Sequence, residues 1–297
     1  MQQLTASTVV KADTAGPGIY AIEIANPSNV KEVNVDGVSG GYFPTACVRT
    51  IYNPSTGKYI LLASAMGMNA GEAVNIYAWE NGIDAAPTVM CSTWAIPGWA
   101  PRRFGDFFTV CGDWAKGELW FRSQSSCTVA RYSIVDGVLQ HPGSPDGFGN
   151  LAADVVAMGS LYRYSMTSTH GLVVTPEVAR YVGLNDGVEV AINSDLTFNK
   201  CYGFVPFAHN GKNYIAYTRM ESAAKGHLVI IEDAALDLKA ALEAHTVAFE
   251  TPIYNTEITL SCWSGNTMAS CAVAQKDGKT YVMAQQQNVA CVVYVLN

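Results

Sequence analysis

Apolar and polar residues alternate with a period of two through most of this chain, in short runs broken by glycine, asparagine, aspartate and serine. That pattern predicts half-buried β-strands joined by tight turns. Five of the breaks share one design: "NPSTGKYILLAS", "DWAKGELWFRS", "VAMGSLYRYSM", "AHNGKNYIAYTR" and "QKDGKTYVMAQ". Each has a turn glycine (Gly57, Gly117, Gly159, Gly211, Gly278), then an aromatic (Tyr59, Trp120, Tyr162, Tyr214, Tyr281) that opens an alternating strand. Glycine supplies the positive φ that a tight hairpin needs. An apolar strand precedes each turn, as in "TACVRTIY" and "YGFVPFA". A third strand follows, as in "AVNIYAWENG" and "HLVIIED", and some units add a fourth, as in "TVMCSTW".

The unit is thus up to four antiparallel strands, and its turn glycines are 60, 42, 52 and 67 residues apart. Recurrence at that period is the signature of propeller blades. The longest gap contains "DAALDLKAALEAH", residues 233–245, which predicts one helix inserted at the surface between the third and fourth strands of a blade. The expected fold is therefore all-β, a β-propeller of five or six blades in a single domain over residues 1–297. Six is the better fit, because residues 18–37 add a half-unit to the five repeats. The N-terminal strands are expected to complete the ring with the C-terminal "CVVYVLN", since closure removes exposed edges. The competing architecture is a two-sheet sandwich, whose strands would not need the recurring glycine–aromatic hairpin.

Residues 18–37, "GIYAIEIANPSNVKEVNVDG", read as a strand, then Asn-Pro, then a short return strand. They resemble the outer half of a blade of the bacterial LVIVP-type repeats. The rest of the chain resembles, in overall style, uncharacterised propeller domains of bacterial surface and periplasmic proteins. The resemblance implies an extracytoplasmic location, in the periplasm or at the cell surface, and an association with glycan uptake.

Composition narrows the function classes. Hydrophobic residues make up 49% and charged residues 14%, well below the roughly 25% charged share of an average soluble domain, which suits a well-buried sheet protein. The net charge is −7 and no Lys/Arg block exists, which argues against a nucleic-acid partner. No apolar run approaches the roughly 20 residues that cross a bilayer. Residues 1–20 lack the basic start and apolar stretch of an export signal.

Eight cysteines are present, Cys47, Cys91, Cys111, Cys127, Cys201, Cys262, Cys271 and Cys291, with no CxxC pair of the kind that holds zinc. Most lie in apolar strand-like runs and read as buried thiols. Disulfides stay open as an alternative. The five histidines are scattered, and GxSxG, HExxH and a glycine-rich phosphate cradle are absent, so neither metal nor cofactor is expected.

The candidate site lies just upstream of the first strands, in "SGGYFP", "PGWAPRRFG", "PDGFGN", "NKCYGF" and "SCWSGN". Each pairs an aromatic with a glycine. In a propeller these connections reach the mouth of the central channel, on the same side as the loops between second and third strands. Trp99 and Trp263 are expected to stack on a ligand, Arg102, Arg219 and Gln286 to hydrogen-bond it, and Tyr42 and Tyr202 to shape the rim. His170, in "TSTHG", is assigned to one of the second-to-third-strand loops. The plain alternative is that the aromatics wedge between blades and never meet a ligand.

The function expected is a non-catalytic binding module for a carbohydrate or other polar ligand. One alternative is a glycoside hydrolase-like enzyme using paired carboxylates from Asp106, Asp154 and Glu221. The repeats weaken it: Asp106 lies 11 residues before its turn glycine and Asp154 five. The other alternative is a scaffold for a protein partner, which would show a larger apolar patch.

Overall fold

The computed structural model describes residues 4–5, 18–41, 43–67, 75–92, 105, 107–122, 128–140, 146–147, 160–175, 178–222, 225–253, 269–286 and 290–297. Strands β1 (Leu4–Thr5), β2 (Tyr20–Glu23) and β3 (Asn26–Glu32) form a three-stranded sheet. Five further sheets are described, and the third repeat's turn glycine, Gly159, lies outside the described residues. The first holds β4 (Phe43–Asn53), β5 (Lys58–Met66), β6 (Asn75–Trp79) and β7 (Thr88–Ser92). The second holds β8 (Phe108–Gly112), β9 (Lys116–Arg122), β10 (Thr128–Val135) and β11 (Val138–Gln140), with β12 (Asp146–Gly147) also on β10. The third holds β13 (Ser160–Arg163), β14 (His170–Val174), β15 (Ala179–Gly183) and β16 (Glu189–Val190). The fourth holds β17 (Cys201–His209), β18 (Lys212–Ser222), β19 (Lys225–Glu232) and β20 (Val247–Pro252), with helix α1 (Leu238–Ala244) between the last two strands. The fifth holds β21 (Ala269–Lys276), β22 (Lys279–Gln286) and β23 (Ala290–Leu296). These five antiparallel sheets are the blades of a five-bladed β-propeller.

The turn chemistry explains the hairpins. Asn210 and Gly211 have φ +48° and +76°, and Asp277 and Gly278 have +51° and +73°. Two consecutive positive φ values suit the right-handed twist of the flanking strands, and Asn-Gly and Asp-Gly reach them at low cost. The second blade differs from the expected pattern. In its β8–β9 hairpin the positive-φ glycine is Gly112, at +81°, whereas Gly117 lies inside β9. Gly117 lacks a side chain for another reason: a Cβ there would stand 2.5 Å from the Asp113 carbonyl oxygen.

Blade number is the lower of the two expected counts. The N-terminal strands pair with one another, and β23 pairs with β22, so among the described residues the two chain ends lie in different sheets. Residues around the N-terminal sheet pack on the first blade instead, with Ile19 and Val33 buried against Leu61, Ala63, Tyr77 and Trp79. The Trp79 indole donates to the Asn34 carbonyl at 2.7 Å.

The chain divides into two compact units. One comprises Met1–Leu161, Ser165–Thr167 and Asn185–Gly187, and the other Tyr162–Tyr164, Ser168–Leu184 and Val188–Asn297. In the first, the apolar faces of the first two blades meet through Ile51, Leu62, Ile76, Phe108, Phe121 and Tyr132, with Phe108 stacked on Phe121 at 5.1 Å. In the second, Ala216, Leu228 and Ile230 of the fourth blade pack on Cys271, Val282 and Ala284 of the fifth. Helix α1 forms where the sequence predicts it. Asp237 caps it by accepting from the Ala240 N–H at 2.8 Å. Leu238, Ala241 and Leu242, at helical spacing, bury against the fourth blade.

Candidate functional site

Strand alternation puts Tyr217 and Arg219 on one face of β18. Arg219 stands opposite Cys201 of β17 and His227 of β19, and Val229 stands opposite Glu250 of β20. That register lets a long side chain reach diagonally across β19. The Arg219 Nη2 donates to Glu250 Oε1 at 2.6 Å and lies 3.9 Å from Glu221 Oε1. The His227 ring sits between the same two carboxylates, with Nδ1 2.9 Å from Glu250 Oε1 and Nε2 3.5 Å from Glu221 Oε1. These four side chains remain 23–45% exposed. They are held in place by one another and still open to solvent.

The cluster caps a buried aromatic layer. Tyr217 is buried, stacks on Phe204 at 4.8 Å, and its hydroxyl lies 2.7 Å from His245 Nε2. Burial pushes the His245 imidazole below its ordinary pKa, and the Arg219 guanidinium pushes it the same way. Burial also pushes the Cys201 thiol up to about 12, with Arg219 opposing. Among the described residues, no group of three or more His, Cys, Asp or Glu is arranged to hold a metal ion.

Of the sequence-predicted residues, Arg219 and Glu221 lie 3.9 Å apart. Gln286 comes close to the same hairpin from β22. It is 2% exposed, and its Oε1 lies where a Cβ on Gly226 would be 2.7 Å away, so it underpins the hairpin from below the surface. Tyr202 is corrected: it is 1% exposed and belongs to the core with Phe198, Phe204 and Tyr217, whereas a rim residue has to be exposed.

His170 is corrected as well. It opens β14, the second strand of its sheet among the described residues, so its loop joins the first and second of these strands. At the other end of β14, the Thr175 carbonyl accepts from the Lys200 N–H, beside Cys201 and hence on the Arg219 end of the blades. His170 therefore lies at the opposite end of its strand from that side, stacked on Tyr181 at 5.4 Å. Trp99, Trp263, Arg102, Tyr42, Asp106 and Asp154 lie outside the described residues.

Two members of the cluster were not read from the sequence. His227 is the third residue of β19, the strand after the loop that follows Glu221, and Glu250 sits in β20. Alternation marks both as surface positions, but only strand register makes them neighbours.

No protein-family model matches the chain, and no curated protein matches it. Among solved structures, it is similar to a DUF4623 family protein from Bacteroides eggerthii, with a TM-score of 0.72 and 13% identity over 99% of this chain and 71% of that one. The likeness is one of fold. The LVIVP-type likeness of residues 18–37 gains no support from these comparisons.

Proposed function

We propose that this propeller is a non-catalytic binding module for a carbohydrate or other polar ligand, held where β18 ends and β19 begins. The observation that supports this reading is the Arg219–Glu250–His227–Glu221 cluster, which sets donors and acceptors at fixed spacing on a solvent-reachable edge. Fixed polar groups lower the ordering cost of binding. On sequence grounds Trp99 and Trp263 are the proposed stacking residues, with Arg102 and Tyr42 beside them. The extracytoplasmic setting implied by the sequence resemblance belongs to the same proposal.

The test is tryptophan fluorescence of the whole chain titrated with oligosaccharides, with released reducing sugar assayed in the same samples. Saturable quenching without sugar release, weakened in Arg219→Ala, is the expected result. Release of reducing sugar would replace this reading with the paired-carboxylate enzyme, and the absence of binding to every glycan tried would sink it.

A further inference from the structure

We infer that the Arg219 site selects uncharged, hydroxyl-rich sugars over acidic ones, an inference that rests on the binding reading above and names its ligand class. The first ground is charge. Arg219 is opposed by two carboxylates, Glu250 at 2.6 Å and Glu221 at 3.9 Å. Around Arg219 one guanidinium faces two carboxylates. An arriving uronate or sulfate would find no uncompensated positive charge and would approach two like charges, which costs binding energy.

The second ground is the hydrogen-bond inventory. Among the described residues the carboxylates engage only the Nη2 of Arg219, so its Nε and Nη1 N–H groups are available as donors. Glu221 is 45% exposed, and its contacts at 3.5 and 3.9 Å are longer than a good hydrogen bond, so its oxygens are available acceptors. A free donor beside a free acceptor matches a hydroxyl, which both accepts and donates. A carboxylate ligand could use only the donor side. An ammonium ligand could use only the acceptor side and would face Arg219 as a like charge.

The experiment is calorimetric titration of the whole chain with cellohexaose, xylohexaose and mannohexaose, and with an oligogalacturonate of the same length, at low and high salt. A neutral hexasaccharide is expected to bind with an affinity that changes less than about twofold with salt, because no net charge is neutralised. Glu221→Gln is expected to weaken it about fivefold, while circular dichroism and melting stay unchanged. Tighter binding of the oligogalacturonate, weakening as salt rises, would overturn the inference and leave the binding reading standing. So would neutral binding indifferent to both Glu221→Gln and Arg219→Lys. If none of the four sugars binds, the binding reading falls and this inference falls with it.

Discussion

The backbone of Cys271 fills the space where a side chain on Gly203 would begin: a Cβ there would stand 2.2 Å from the Cys271 nitrogen and 2.8 Å from its Cβ. Gly203 has φ +74°, in the stretch where the β17–β18 register shifts, and its N–H donates to the Tyr162 hydroxyl at 2.7 Å. The glycine is what lets the fourth blade approach the fifth so closely. Gly203→Ala is therefore expected to cost about 3 kcal/mol or more, because clash and positive φ act together. Gly211→Ala, at φ +76° with nothing within 4 Å, should cost only about 1 kcal/mol. Urea unfolding midpoints compare the two, and equal losses would show that the close approach carries no energy.

Tyr202→Ala tests whether Tyr202 serves the core or the rim. Tyr202 is among the largest fully buried side chains, and emptying such a site costs about 3–5 kcal/mol. The expected outcome is a large fall in melting temperature, with sugar affinity unchanged in the fraction that stays folded. Loss of affinity at unchanged stability would return Tyr202 to the rim.

Arg219 should behave in the opposite way. Its pair with Glu250 is roughly one-third exposed on both sides, and exposed pairs contribute about 1 kcal/mol or less. Arg219→Ala should then shift the urea midpoint slightly while weakening the sugar signal severalfold. A stability loss as large as that of Tyr202→Ala would mark the cluster as a seal on the core.

His245 makes a pH prediction. Its pKa is lowered in the folded state by burial, then by Arg219, so the unfolded chain binds its proton more readily. Stability from this group is present above the unfolded histidine value and is lost as pH falls through it toward the folded one. His245 also ends helix α1 at φ +40°, a conformation asparagine tolerates. Melting temperature should therefore fall less between neutral and mildly acidic pH in His245→Asn than in the wild type, and identical slopes would contradict the assignment.

The thiols of Cys201 and Cys271 are both pushed up to about 12, in each case chiefly by burial. Only the thiolate reacts readily. Alkylation mapped by mass spectrometry should leave both unlabelled in the native protein and label them once it unfolds. Labelling of either at the rate of a free peptide would show that the blade edges open.

Much of the fold is legible from local chemistry. Asn210-Gly211 and Asp277-Gly278 announce hairpins because few other pairs accept two positive φ values, and of the leucines at 236, 238 and 242 that point to a helix, Leu238 and Leu242 lie in α1 while Leu236 lies before it at φ +56°. The errors arise where local chemistry is silent. Gly117 resembles a turn glycine, yet its bareness is set by the Asp113 carbonyl. The sequence alone puts His170 in a second-to-third-strand loop because a two-residue period is the same in the first, second or third strand of a blade. Of the site, Arg219 and Glu221 stand out as polar residues at a strand end.

The sequence by itself determined the class of fold, the turns, the helix and the scarcity of charge, because these follow from backbone preferences and periodicity within short segments. Only the tertiary structure decided that Tyr202 and Gln286 are buried and that Glu250 and His227 join Arg219. Those outcomes depend on register and on the approach of one blade to the next, where residues distant in the chain compete for the same few ångströms of space.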